Sequence, residues 1–140
     1  MSDETLKVLL FSSDRTVREQ VRLALGRKVA SDLPPIEVEE VATGPAMFRR
    51  LDAGPSVDLL ILDGEAQPEG GFGLAHQVKE EYEDCPPVLL LVARVADAWL
   101  GTWSRAEAIS PYPVDPVRLP GQAAELLRER KNGKKREKVS

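Results

Sequence analysis

Short apolar runs alternate along the chain with segments of helical periodicity. Continuous apolar runs, which predict buried parallel strands, lie at residues 7–11, 58–62 and 88–93. Two weaker strand patterns lie at 36–42, where apolar residues alternate with glutamates, and at 108–110. Spacings of three and four residues predict helices over 14–29, 43–51, 70–82, 95–103 and 115–130. Strands and helices are therefore expected to follow one another in strict alternation.

This alternation predicts a doubly wound α/β fold, because parallel strands need helical crossovers and these are nearly always right-handed. We expect a flavodoxin-like (βα)5 three-layer sandwich whose five-stranded parallel sheet has the order 2-1-3-4-5. Ligands of such sheets bind beyond the carboxyl ends of the strands, where the strand order reverses. The candidate site therefore contains Ser12 and Ser13 after the first strand and Asp63 after the third.

Length and charge favour one domain followed by a basic tail. The 140 residues are 42% apolar and 30% charged, which suits a single folded domain and argues against disorder. We predict a domain over 1–129 and a tail over 130–140. The tail holds six basic residues and one glutamate in a chain of net charge −4, so the body is acidic. The tail is expected either to fray in solvent or to contact an anionic surface.

Several classes of protein are disfavoured by the same sequence. No apolar run approaches the roughly 18 residues of a membrane span, and the acidic start is unlike a signal peptide, so we expect a cytoplasmic protein. Cys85 is the single cysteine and His76 lies without acids or cysteines at ligand spacing. The glycine-rich 70–73 segment lacks a nucleotide-binding pattern. We therefore expect no metal and no cofactor.

The start and centre of the chain resemble the receiver domains of two-component response regulators. The first strand is followed by Ser12, Ser13 and Asp14, where the family has two acidic residues directly after the strand. Asp63 matches the phosphoacceptor aspartate and is followed nine residues later by the Phe72 of a Gly-Phe pair, although the proline between them falls one position late. The resemblance extends over residues 7–129.

Two further motifs match the switch positions of that family. Val92 ends the fourth strand, where the resemblance implies threonine or serine. Tyr112 stands where the resemblance implies the conserved lysine, before a proline, Pro113, for which a cis peptide bond is plausible. The acidic pair, the hydroxyl and the ammonium group of the family are thus all replaced.

These replacements predict a pseudo-receiver that performs no catalysis. Phosphoryl transfer to a carboxylate needs a cation held by oxygen ligands and donors for the charge on the phosphoryl oxygens. Each missing group would raise the barrier by about 2 to 4 kcal/mol. The alternative is a single-domain response regulator in which Asp63 is still phosphorylated, with Glu65 or Asp14 helping to hold a metal. Asp14 is expected to be committed to the helix start, where Ser12 or Ser13 would be the cap.

The resemblance also suggests where a partner binds. Trp99 and Trp103 lie four residues apart in the predicted helix over 95–103. In receivers the surface formed by this helix, the fifth strand and the last helix binds partner proteins, and tryptophan is enriched at interface hot spots. Packing on the core is the other interpretation of these side chains, and we predict that a partner buries at least one.

A narrower resemblance concerns an assembly. Residues 12–21 together with the two tryptophans are similar to a small group of actinobacterial orphan response regulators associated with the proton-pumping NADH dehydrogenase, respiratory complex I. That resemblance implies an accessory position on the cytoplasmic arm of this enzyme and membrane association through it. A transcription factor is disfavoured because no helix-turn-helix domain follows. A hydrolase using Ser12 or Ser13 is disfavoured because no histidine is placed to activate the hydroxyl.

Overall fold

The computed structural model describes residues 4–66, 70–93 and 105–139, with side chains up to residue 130. The strands are β1 (Leu6–Phe11), β2 (Ile36–Val41), β3 (Leu59–Asp63), β4 (Val88–Val92) and β5 (Ala108–Pro111). The helices are α1 (Arg15–Leu25), α2 (Gly44–Ala53), α3 (Gly71–Glu81) and α4 (Arg118–Val139). All strand pairs are parallel and the sheet has the order β2-β1-β3-β4-β5, which confirms the predicted fold.

The sheet separates two apolar clusters, one on each face. Helices α1 and α4 contribute to the first cluster, and α2 and α3 contribute to the second. Successive residues of each central strand point alternately into the two clusters. Every residue of β3 and β4 is buried, because helices cover both sides of these central strands. Each buried Leu, Ile or Val stabilises the fold by about 1.5 to 3 kcal/mol relative to an exposed one. This two-sided burial explains why β3 and β4 are continuous apolar runs.

The last helix differs from the predicted one at both ends. Asp115 lies before it, and its carboxylate accepts hydrogen bonds from the backbone N–H groups of Val117 and Arg118 at 2.8 and 3.0 Å. The helix then continues to Val139, so secondary structure does not change at the predicted 129/130 boundary. In the described part of the chain, no helix combines the length and apolar character that crossing a bilayer would require. The predicted helix over 95–103 lies outside the described residues.

Strand β2 forms one edge of the sheet and carries three glutamates. Each glutamate forms an ion pair with a basic residue of a neighbouring element: Glu37 with Lys7, Glu39 with Arg50, and Glu40 with Arg18 and Arg22. The Arg50 guanidinium lies mostly out of solvent and lowers the pKa of the Glu39 carboxyl through its hydrogen bonds. The edge strand is thus bordered by paired charges.

Helix α3 begins against the end of β3, and this contact requires a glycine. A Cβ atom at Gly71 would lie 2.7 Å from the carbonyl oxygen of Asp63, closer than side chains tolerate. We expect Gly71→Ala to lower the free energy of unfolding by about 1 to 3 kcal/mol, as measured by urea denaturation, because the backbone must shift.

The matched control is Gly73→Ala in the same helix. A Cβ atom at Gly73 meets nothing within 4 Å, so this substitution should raise the free energy of unfolding by up to about 1 kcal/mol through higher helix propensity. Equal effects of the two substitutions would contradict the close approach of α3 to Asp63.

Candidate functional site

Asp63 is the last residue of β3 and lies at the carboxyl edge of the sheet. The strand order reverses here, because β1 pairs with β2 on one side and with β3 on the other. The residue is only 2% exposed. A carboxylate taken out of water is costly unless hydrogen bonds replace its hydration. The partners of Asp63 therefore determine what this site does.

Among the described residues, three groups donate hydrogen bonds to the Asp63 carboxylate. The Ser12 hydroxyl donates to Oδ2 at 2.7 Å. The backbone N–H of Glu65 donates to Oδ1 at 2.9 Å, and the Tyr112 hydroxyl donates to the same oxygen. Both carboxylate oxygens thus have protein donors, which come from β1, the β3 loop and the end of β5. The arrangement stabilises a buried carboxylate in its resting position.

Ser12 is completely buried and fixed by several backbone groups. Its hydroxyl accepts a hydrogen bond from the backbone N–H of Asp14 at 3.0 Å. Its carbonyl oxygen accepts from the Arg18 guanidinium at 2.6 Å, and the same guanidinium pairs with Glu40 at 3.1 Å. Arg18 lies outside the apolar stripe of Val17, Val21 and Leu25, a pattern that predicts a solvent-facing side chain. This prediction is wrong, because the side chain folds back onto the Ser12 carbonyl and Glu40. Arg18 is the site residue that sequence reasoning missed.

The cap of α1 also differs from the prediction. The N-cap is Asp14, whose carboxylate accepts from the backbone N–H of Thr16 at 2.8 Å. Ser12 is not the cap because its hydroxyl is directed to Asp63, and Ser13 is exposed. The expectation that Asp14 is committed to the helix start is confirmed. One oxygen of its carboxylate is therefore engaged at the start of the helix.

Tyr112 closes the site from β5. Its backbone N–H donates to the carbonyl oxygen of Val92 at 3.0 Å, and the bond to Pro113 is cis, as the sequence suggested. Burial raises the pKa of the Tyr112 hydroxyl, and the hydrogen bond to the Asp63 carboxylate raises it further. The hydroxyl therefore stays protonated and keeps donating. It supplies a hydrogen bond where the receiver pattern has an ammonium group, but no charge.

Val92 lies at the end of β4 and is 4% exposed. Its side chain packs in the apolar cluster on the α2 and α3 side, together with Phe11 and Leu62. It carries no polar atom that a phosphoryl oxygen could use. The hydroxyl of the receiver pattern is thus replaced by core packing.

The residues present do not fit a magnesium ion. Mg²⁺ prefers carboxylate and water oxygens in octahedral geometry. Among the described residues, no three acidic, histidine or cysteine side chains are close enough together to hold a metal. Ser12 offers a neutral hydroxyl that is already engaged, and Glu65 is exposed with its carboxylate 3.5 Å from the backbone nitrogen of Ala93.

The other candidate residues lie away from this site or outside the described residues. His76 on α3 is half-buried and pairs with Glu80 one turn later at 3.6 Å, so it takes no part in the site. Burial raises the pKa of the Cys85 thiol, which disfavours the reactive thiolate. Trp99 and Trp103 both lie outside the described residues, so the partner surface predicted from them stays a prediction.

Sequence comparison gives a relative that covers nearly the whole chain. The chain is 49% identical over 127 residues to an uncharacterized response regulatory protein of Mycobacterium tuberculosis strain H37Rv, and the match covers 91% of this chain and 95% of the relative. The response regulatory protein of strain CDC 1551 matches with the same figures. No family model matches the chain.

Solved structures of receiver domains share the fold. A CheY-like receiver domain protein from Methanospirillum hungatei has a TM-score of 0.74 at 17% identity, covering 93% of this chain and 99% of that chain. The signal receiver domain of an HD domain-containing protein from Pseudomonas fluorescens has a TM-score of 0.78 at 18% identity, covering 97% and 96%. At these identities the likeness concerns the fold alone.

Proposed function

The chain belongs to the response regulator family and has the receiver fold, and from this premise we propose that it is a pseudo-receiver, a protein-interaction module that performs no phosphoryl transfer. The observation that carries the proposal is the Asp63 carboxylate, whose two oxygens accept hydrogen bonds from Ser12, Tyr112 and Glu65. The carboxylate is kept, but protein groups already donate hydrogen bonds to both of its oxygens.

Electrostatics supports this proposal. A phosphoryl group arriving at Asp63 brings several negative oxygens beside the neutral hydroxyls of Ser12 and Tyr112. The Tyr112 hydroxyl would also have to leave Oδ1, and a hydrogen bond to a buried charge contributes about 1.5 to 3 kcal/mol. The site therefore favours the unmodified carboxylate, and regulation by phosphorylation at useful rates is disfavoured.

The partner in this proposal is a protein assembly, and we name respiratory complex I. The resemblance of residues 12–21 and the two tryptophans to actinobacterial orphan regulators supports this choice, and a mycobacterial relative is compatible with it. The chain would be an accessory subunit in the cytoplasm, docked on the cytoplasmic arm through the surface that includes β5, α4 and Trp99 and Trp103. The basic residues after 129 would contact an anionic surface of the same assembly.

Purification at native expression level tests this assignment. We expect the tagged chain, isolated from detergent-solubilised membranes, to retain the NADH dehydrogenase subunits, as identified by mass spectrometry. Asp63→Asn should retain them equally, because no phosphorylation is needed. Trp99→Ala combined with Trp103→Ala should reduce retention at an unchanged melting temperature.

Two results would contradict the assignment. If no dehydrogenase subunit accompanies the chain, its place in complex I is wrong. If the tryptophan variants lose melting temperature but keep the partner, the indoles belong to the core and the docking surface lies elsewhere. Neither result bears on whether Asp63 is phosphorylated.

The alternative function is a single-domain response regulator phosphorylated on Asp63. One observation favours it: Asp63 is kept at the carboxyl end of β3, at the reversal of the strand order. Intact-mass measurement after incubation with acetyl phosphate and Mg²⁺ separates the two functions. A phosphoryl adduct on the natural chain but not on Asp63→Asn would favour the alternative.

A further inference from the structure

Helix α4 runs from the carboxyl edge of the sheet to its amino edge and continues from there. It begins after β5, and by Arg130 it has reached the turn before β4, where the guanidinium donates to the Asp84 carboxylate at 3.0 Å. The helix then extends to Val139. At a rise of about 1.5 Å per residue, residues 131–139 carry it about 13 Å further in the same direction. This segment therefore leaves the sheet at the edge opposite to Asp63.

Two ion pairs fix the base of the segment. The Arg128 guanidinium donates two hydrogen bonds to the Asp32 carboxylate, at 2.8 and 2.7 Å. The Arg130 side chain, which pairs with Asp84, is only 11% exposed. Asp32 lies in the loop before β2 and Asp84 in the turn before β4, so the helix is held to two different parts of the fold. The fold therefore sets the direction in which residues 131–139 continue.

Four of the five basic residues in this segment share one face of the helix. They occupy positions i, i+3, i+4 and i+7, the spacing of residues on one side of a helix: Lys131, Lys134, Lys135 and Lys138. We call these four residues the lysine stripe. It is about 10 Å long, and Glu137 lies off this face. The stripe thus concentrates positive charge at one edge of a protein whose body is acidic.

The residue types of the segment favour phosphate groups over a protein surface. The lysine ammonium is a point charge on a flexible stem, whereas arginine is the residue suited to bidentate pairing with carboxylates. Lysine is also depleted in protein–protein interfaces. Within residues 131–139 the one apolar side chain belongs to Val139, so the segment has almost nothing with which to fill a groove. A polyanion that carries phosphates is therefore the better occupant.

A flat array of phosphates fits the lysine stripe better than a nucleic acid groove does. The major groove of DNA is about 12 Å wide, so a helix inside it has a phosphate backbone on both sides. Basic residues on two opposite flanks would serve that geometry, whereas the lysine stripe lies on one face. A bilayer with anionic lipids presents its phosphates in one plane. It attracts basic segments, and each lysine near the surface strengthens binding by a factor of about five.

We propose that the lysine stripe docks the protein on a bilayer surface that contains anionic lipids. The helix lies along the headgroups with its lysines toward the phosphates and does not enter the hydrocarbon, because it lacks an apolar face. Docking turns the amino edge of the sheet toward the membrane and leaves the Asp63 edge facing away. The proposed function gives these residues an anionic surface of the assembly. This docking goes further, because lipid alone suffices and complex I is not required.

Co-sedimentation of the full chain with lipid vesicles tests this docking. We expect the chain to bind vesicles of phosphatidylcholine with phosphatidylglycerol at least about tenfold more tightly than vesicles of phosphatidylcholine alone. Raising the salt concentration should weaken the binding, because exposed charges are screened. Equal binding to the two kinds of vesicle would overturn the proposal. Tighter binding to duplex DNA than to the anionic vesicles, expressed per phosphate, would overturn it as well.

Two fourfold variants with the same net charge locate the contact. Neutralising the stripe should weaken binding to the anionic vesicles by at least about 100-fold, through Lys131→Gln, Lys134→Gln, Lys135→Gln and Lys138→Gln. The matched control neutralises four exposed basic residues of the domain and should weaken binding by less than about fivefold, through Arg15→Gln, Arg27→Gln, Lys28→Gln and Arg49→Gln. The stripe lies beyond Leu127, the last buried residue among the described side chains of α4, so its neutralisation should leave the melting temperature unchanged. Equal losses of binding in the two variants would contradict a contact through the stripe.

A third variant keeps the composition of the segment and changes only the face. Exchanging neighbours moves two of the four lysines off the stripe, through Gly133→Lys with Lys134→Gly and Glu137→Lys with Lys138→Glu. We expect binding to the anionic vesicles to weaken by at least about fivefold. Unchanged binding would mean that total charge alone attracts the chain, and the docking face proposed for α4 would be wrong.

Discussion

Tyr112→Phe is expected to lower the free energy of unfolding by about 2 kcal/mol, as measured by urea denaturation at pH 7. The substitution keeps the ring and its packing but removes the hydroxyl that donates to the Asp63 carboxylate. Asp63 is 2% exposed, so water cannot readily replace the lost donor. Hydrogen bonds to buried charged groups contribute about 1.5 to 3 kcal/mol, which sets the magnitude.

A double-mutant cycle assigns this loss to the Asp63 contact. In an Asp63→Asn background the acceptor is neutral, so removing the Tyr112 hydroxyl should cost less than in the natural chain. Tyr82→Phe is a second comparison, because the Tyr82 hydroxyl also donates to a carboxylate, that of Asp52, but at the surface. If Tyr112→Phe has the same effect in the natural chain and in the Asp63→Asn background, the hydroxyl stabilises the fold through some other contact.

Tyr112→Phe should also change how the free energy of unfolding depends on pH in alkaline solution. Tyrosine in the unfolded chain ionises near pH 10. The fold raises the pKa of Tyr112, and it raises that of Tyr82 to about 12, mainly through burial. Above about pH 10 the unfolded chain releases protons that the folded chain retains, so stability falls as pH rises. Tyr112→Phe should make this fall shallower, and an unchanged slope would contradict the buried protonated hydroxyl.

Restoring the four replaced groups together is expected to speed phosphoryl transfer to Asp63. The variant carries Ser12→Asp, Ser13→Asp, Val92→Thr and Tyr112→Lys. It regains carboxylates for a cation, a hydroxyl and an ammonium group beside Asp63. Because a single electrostatic donor changes a rate by about 100-fold to 1,000-fold, we expect modification by acetyl phosphate and Mg²⁺ to be at least about 100-fold faster than in the natural chain. Intact-mass spectrometry over time measures both rates.

Two controls define this result. Adding Asp63→Asn to the fourfold variant, or leaving out Mg²⁺, should abolish the adduct, which places the phosphoryl group on Asp63 in a cation-dependent reaction. If instead the natural chain is modified at Asp63 as fast as the restored variant, the pseudo-receiver proposal is wrong and the single-domain response regulator is the better assignment. Circular dichroism should confirm that the variant folds, because Val92→Thr places a hydroxyl in the core.

The sheet could be predicted because burial on two faces leaves a strong local pattern. Strands β3 and β4 are buried at every position and are almost entirely apolar, whereas β2, at the edge, contains only half-buried and exposed residues. The predicted bounds of these strands differ from the observed ones by no more than one residue at each end. Patterns of this kind depend only on neighbours in sequence, which is why one chain suffices to read them.

The details of the site depended on contacts that sequence spacing does not encode. Serine and aspartate both make good helix caps, and we predicted the cap at Ser12 or Ser13. The Ser12 hydroxyl instead donates a hydrogen bond to Asp63, which lies 51 residues away in sequence. The N-cap of α1 is therefore Asp14. The position of Arg18 over the Ser12 carbonyl has the same origin. By contrast, the receiver resemblance assigned Asp63 and Tyr112 to the same site.

The end of α4 was predicted too early for a different reason. The run of basic residues argued for fraying after residue 130. Extending an existing helix adds a hydrogen bond for each residue fixed, whereas only the first turn is costly to form. The backbone of α4 accordingly continues to Val139.

The ion pairs of β2 have a consequence for the behaviour of the protein at high concentration. The open side of an edge strand can template the growth of a further strand from another molecule, which is how fibrils start. Adding a strand to β2 would have to break the ion pairs of Glu37, Glu39 and Glu40. It would also place these glutamates next to the same glutamates of the added molecule. These ion pairs therefore protect the concentrated protein against fibril nucleation at this open edge.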